Sequence, residues 1–207
     1  MMPMMNTELN ERCTDVIREV GNIGAGNAMT ALATMIDDRI DMQVPSVGLV
    51  PLSHFAEIAG GPETIAACIY MPVEGDAPGH VAFLLPTESA FRLADKVLYR
   101  APGETQELGE LECSALMEIG NIVASSYLVA LCELTQLNLL SCPPSLAVDM
   151  TAAILCSVAS ALESLGDQAV TIITHIGEAE GAIEGFFLYI PEPGSLNVIL
   201  RALQMEG

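Results

Sequence analysis

Positive charge is what this chain most lacks. Seven lysines and arginines stand against 27 aspartates and glutamates in 207 residues, a formal charge of −20, and Lys96 is the sole lysine. A surface of that sign repels a phosphodiester backbone, so nucleic acid is not expected as a partner. Histidine is almost as scarce: His54, His80 and His175 lie far apart, without the spacing of a zinc site. The six cysteines (Cys13, Cys68, Cys113, Cys132, Cys142, Cys156) form no C-x-x-C pair and sit in apolar stretches, which reads as reduced thiols in a cytoplasmic protein. Residues 1–10 lack the basic stretch and apolar core of a secretory signal. Two apolar windows, 20–36 and 113–132, are long enough to test as membrane spans. Three glycines and two asparagines dilute the first and Glu118 interrupts the second, so buried helices and no membrane are the expectation.

Familiar catalytic signatures are missing too. There is no G-x4-G-K-[ST] loop, no H-E-x-x-H pair, and no cysteine followed six positions later by arginine. The run GNIGAGNA falls inside a helical pattern, without the strand and acidic partner of a dinucleotide fingerprint.

What the chain does have is a repeat. Residues 15–35 read DVIREVGNIGAGNAMTALATM and residues 114–134 read SALMEIGNIVASSYLVALCEL. Glu19, Gly21, Asn22 and Ile23 match Glu118, Gly120, Asn121 and Ile122 at an offset of 99, and Pro45 matches Pro144 at the same offset. The shared pattern is D/S-x3-E-x2-N-x22-P, with Asp15 heading the first copy and Ser114 the second.

Each copy predicts the same order of elements. Helical periodicity covers 8–37 and 108–134, with Thr7 placed to cap the first helix. An extended segment through Pro45 or Pro144 follows, then short helices near 52–59 and 151–163. Hairpins are predicted at 63–73 with 79–85 and at 168–177 with 182–190, turning at 76–79 and 178–181. Pro86 and Pro191 end those strands and open helices at 87–99 and 194–204. The order is not that of a crossover-linked parallel sheet, so the expected class is α+β: duplicated α-β repeats related by a pseudo-two-fold axis, an antiparallel sheet packed with two long motif helices. One domain over 1–207 is expected, its repeats at about 8–100 and 107–207 around a short Pro-Gly linker.

On a helix Asp15, Glu19 and Asn22 stand at i, i+4 and i+7 and share a face, as do Ser114, Glu118 and Asn121. Two readings fit. The pairs are satisfied polar groups where the motif helices pack, or they form a functional surface. A Glu is rarely buried unpaired, and no basic residue lies near the second motif, which favours the surface. In the first motif Arg12 is the expected partner of Asp15, with Arg18 pointing elsewhere. Gly21 and Gly120 would leave a shallow place for a partner to approach, while Gly24 and Gly26 would serve close helix packing; Ser125 and Ser126 read as packing residues. An Asn amide can hold a water in fixed orientation, and a Glu can pair with a lysine. That is enough to hydrolyse an activated acyl phosphate on another protein, where positioning is most of the catalysis.

These residues resemble the CheC, CheX and FliY phosphatases of bacterial and archaeal chemotaxis, whose signature both copies match at every specified position. The resemblance runs from about residue 8 to the end. It implies a substrate, the phosphoaspartate of the response regulator CheY. It also implies that Asn22 and Asn121 orient the attacking water while Glu19 and Glu118 engage a receiver lysine. Two complete motifs in one chain are the CheC arrangement, which implies CheD as a further partner. No cofactor is expected on this chain, since the magnesium would belong to the receiver. A non-enzymatic adaptor for phosphorylated CheY or for CheD, related to flagellar switch proteins, is the competing expectation.

Overall fold

The computed structural model describes residues 5–36, 42–161, 168–176 and 183–203. Helix α1 (Met5–Ile36) leads into strand β1 (Met42–Pro51), helix α2 (Leu52–Ile58), the hairpin β2 (Ile65–Gly75) and β3 (Gly79–Pro86), and helix α3 (Thr87–Val97). The second copy repeats the plan with α4 (Glu110–Thr135), β4 (Leu139–Ser141), β5 (Ser145–Met150), α5 (Thr151–Ala161), β6 (Gln168–Ile176), β7 (Ile183–Pro191) and α6 (Ser195–Ala202). The helix and hairpin boundaries follow the sequence pattern closely. Thr7 lies inside α1, already helical from Met5, so it does not cap that helix. The turn expected at 178–181 lies outside the described residues.

The strands form one antiparallel sheet in the order β1-β6-β7-β3-β2, with β4 and β5 end to end along the outer edge of β2. The two hairpins meet at the centre, where Phe83 pairs with Phe187 and Ala82 with Leu188. The outer strands are exchanged between copies. First-copy β1 pairs with second-copy β6, Val47 opposite Ile172, and second-copy β5 pairs with first-copy β2, Leu146 opposite Ile69. Each conserves the pseudo-two-fold by completing the other copy's hairpin.

Helices cover both faces, which is why the central strands are buried on both sides rather than on alternate residues. On one face α1, α4, α3 and α6 enclose the larger core, with Leu32, Ile69, Phe83, Leu116, Tyr127 and Phe187 at 2% exposure or less. On the other, α2 and α5 cover Phe55, Ala82, Leu84, Phe186 and Leu188. Helix α4 is long and apolar enough to cross a bilayer, but half of its apolar window is buried inside this fold.

Both motif prolines interrupt a strand, because proline brings no N–H to the ladder. Pro45 falls where the β1–β6 register shifts, between Gln43 and Ser46. Pro144 falls in the gap between β4 and β5, which splits the second extended segment into two strands where the sequence suggests one.

The linker between copies is pinned by a buried carboxylate. Asp95 on α3 accepts from the backbone N–H of Gly103 (2.7 Å) and of Thr105 (2.8 Å). Burial pushes its carboxyl up, but hydrogen bonds from the Thr105 hydroxyl and from the Thr105, Gly103 and Glu104 backbone outweigh that and hold it below the usual range. Arg100 then bridges to Glu112 at the start of α4, 2.6 Å away. The backbone N–H of Glu112 and then the Arg100 guanidinium hold that carboxyl low as well.

Candidate functional site

The two motif helices pack against each other at a notch in α1. Tyr127 of α4 fills the space above Gly24, where an added methyl group would come within 2.9 Å of the Tyr127 backbone. The ring packs on Phe187, centroids 4.6 Å apart, and its hydroxyl reaches Thr174 Oγ1 at 2.7 Å, so the buried phenol is satisfied. Burial pushes it up to about 12, and it stays neutral. Each helix also rests on the sheet through a motif glycine. A methyl at Gly120 would meet Ile69 Cγ2 at 2.7 Å, and one at Gly21 would meet Val44 at 3.1 Å and Ile172 at 3.6 Å.

This corrects the expected use of the glycines. Gly21 and Gly120 lie one residue, or 100° of helix, from positions 22 and 121, which turns them into the core and away from any partner. Gly24 does allow close helix packing. Gly26 does not: its added methyl would meet nothing within 4 Å.

The opposite stripe faces solvent. On α1, Asp15, Glu19 and Asn22 are all exposed, while Ile17, Val20 and Gly21 between them are buried. On α4, Ser114 and Glu118 are exposed and Asn121 is half-buried, again between buried Leu116, Ile119 and Gly120. The 3.6-residue period thus sends one face into the core and leaves the Glu/Asn face outside. Among the described residues, neither Glu19 nor Glu118 has a hydrogen-bond or ion-pair partner.

Asp15 is held by Arg18, whose Nη1 lies 2.8 Å from Oδ1, although the sequence suggests that Arg18 points elsewhere; the expected pairing with Arg12 involves a side chain outside the described residues. A position three residues later lies as close on a helix as one three residues earlier, so spacing alone does not choose between them. Ser126 donates to the Ile122 carbonyl at 2.7 Å, as a packing residue would. Ser125 differs: its hydroxyl lies 3.5 Å from Asn121 Oδ1, inside the motif itself. Sequence reading missed that neighbour, although its place one turn after Asn121 was visible. Pro45 lies in β1, the strand whose Val44 and Val47 contact the Gly21 position; Pro144, half-buried, lies in the chain leaving α4 for β5.

Among the described residues no three His, Cys, Asp or Glu side chains converge as a metal site would need. The arrangement offers, twice, an exposed carboxylate and a carboxamide one turn later on a rigid helix. It can accept a cation and orient one water beside it, and it has no nucleophile of its own among those side chains.

Comparison with known proteins bears on both copies. A model of the CheC-like family matches residues 14–49 and 111–147, the motif helices with the strands that follow them. Over 199 residues, 94% of this chain and 95% of the relative, the sequence is 32% identical to the CheY-P phosphatase CheC of Bacillus subtilis (strain 168). In structure the chain is similar to Thermotoga maritima FliY, with a TM-score of 0.74 at 19% identity over 94% of this chain and 96% of that one. It is similar, more distantly, to the CheX–CheY–BeF3–Mg2+ complex from Borrelia burgdorferi, with a TM-score of 0.52 at 18% identity over 83% and 97% of the two chains.

Proposed function

The chain belongs to the CheC-like family and is a phosphatase, and from that premise we propose that it hydrolyses the phosphoaspartate of the cytoplasmic response regulator CheY by inserting a Glu/Asn pair at the phosphorylated site. The observation that carries the reading is the solvent-facing stripe: Glu19, Asn22 and Glu118 exposed and Asn121 half-exposed, on helices whose opposite faces are locked in the core.

In this mechanism Glu19 or Glu118 docks by accepting from a lysine of the receiver. That places Asn22 or Asn121 beside the phosphoryl group, where the carboxamide holds a water in line with the bond to be broken. The water oxygen attacks phosphorus, the aspartyl oxygen leaves as carboxylate, and the water's proton goes to the released phosphate. The acyl phosphate is already activated, so no nucleophile or general base is required of this chain. Rigidity matters because a small misplacement of the water forfeits most of the gain. The relative's name, CheY-P phosphatase, supports the choice of substrate.

Decay of radiolabelled phospho-CheY tests it. Asn22→Ala and Asn121→Ala are each expected to slow the accelerated decay in part, and the double variant to return it to the spontaneous rate. Fast decay with the double variant would eliminate the mechanism, and no acceleration by the unaltered chain would leave the adaptor reading in its place. CheD is proposed as a second partner, and failure of purified CheD to co-elute with the chain on gel filtration would remove it.

A further inference from the structure

Five hydroxyls within the described helices share a habit that Ser125 does not follow. Thr30, Thr34, Ser126, Thr135 and Ser157 each turn the hydroxyl back to the backbone carbonyl four residues earlier, at 2.6 to 2.9 Å. That is the usual resting place of a serine or threonine inside a helix. The Ser125 hydroxyl points instead at the side-chain oxygen of Asn121, 3.5 Å away. Asn121 is half-buried, whereas Asn22 on the other motif helix is exposed. The position equivalent to Ser125 in the first copy, 99 residues earlier, is Gly26, with empty space where its side chain would be.

We propose that Ser125 is a positioning residue: it donates to Asn121 Oδ1 and fixes the carboxamide, so that the α4 site has a preset water-orienting group which the α1 site, with Gly26, lacks. Oδ1 has two lone pairs, so one bond from Ser125 leaves the other free for water and turns Nδ2 outward. The separation exceeds the 2.5 to 3.0 Å of a settled O–H···O bond, and catalytic hydrogen bonds commonly close up only when the partner docks. Asn22 must instead lose its rotational freedom at the moment of reaction. The difference lies in orientation and not in docking, because Glu19 and Glu118 are both exposed.

The inference rests on Asn121 orienting water, and the test separates the two ideas. In an Asn22→Ala background only the α4 site remains. There Ser125→Ala is expected to lower kcat for phospho-CheY hydrolysis roughly fivefold, the worth of one net hydrogen bond. KM should be unchanged, and Ser125→Thr should keep the rate. In an Asn121→Ala background, Gly26→Ser is expected to raise the kcat of the α1 site several-fold. Neither change threatens the fold, since alanine favours helix and Gly26 opens on empty space. An unchanged kcat in either background, or an effect on KM alone, overturns the proposal. Accelerated decay that survives Asn22→Ala with Asn121→Ala strikes the underlying mechanism instead.

Discussion

Gly24 and Gly26 lie two residues apart on α1 and have opposite surroundings. One faces Tyr127 across the helix crossing, the other faces open space. Gly24→Ala forces the α1–α4 interface apart, because the obstruction includes the Tyr127 backbone as well as its ring. A loss of about 1–3 kcal/mol is expected, the usual cost of overpacking. Gly26→Ala meets nothing and should gain up to about 1 kcal/mol from helix propensity. Urea denaturation of both variants checks this, and equal shifts would contradict the packing described. At this scale the Glu/Asn stripe was legible, because i, i+4, i+7 spacing sets a shared direction whatever the helix packs against. The Tyr127–Gly24 fit was not, because a contact between residues 103 positions apart leaves no trace in local spacing. The roles of Gly21 and Gly26 were exchanged for the same reason: spacing gives a residue's direction but not what lies there.

Among the elements, the segment joining α3 to α4 holds carboxylates whose charged forms the fold favours. Asp95 and Glu112 both lie below their ordinary values of 3.8 and 4.5. Groups depressed in this way add stability that is fully present above the unfolded-state value and is lost as pH falls through the lower folded value. The melting temperature is therefore expected to hold from neutrality to about pH 5 and to fall below 4.5, where the unfolded carboxyls begin to bind protons first. Asp95→Asn should melt lower at pH 7, having lost a charged acceptor for two backbone N–H groups, and should show a shallower acid decline. Parallel acid curves for the two proteins would refute that assignment. Helices and hairpins could be read because Pro86, Pro191 and the 76–79 turn punctuate them. The division into β4 and β5 could not. A proline in an extended run says that one ladder bond is missing, not whether the strand bulges, as at Pro45, or breaks, as at Pro144.

For the whole molecule, the exchange of β1 and β5 decides what can fold alone. Separated, a first copy would have β1 without β6 and β2 without β5. It would expose one edge of its hairpin and the seam now closed by Phe83 and Phe187. Fragments 1–106 and 107–207 are expected to lack cooperative unfolding separately and to regain it when mixed, as read by circular dichroism against urea. A lone fragment with a sharp transition would contradict this. The repeat announced two copies with one plan, but identical plans cannot say whose hairpin an outer strand will join. That choice is made by the closed sheet and not by either copy.

Helix α1 lies on β1 and β6, and α4 lies on β2 through Gly120. Each motif helix therefore rests in part on the other copy's hairpin, α1 through β6 and α4 through β2. A lesion in one hairpin would also be felt beneath the motif of the other copy. Duplication in such a chain gives two motifs but one scaffold: neither copy can lose its fold while the other keeps its own.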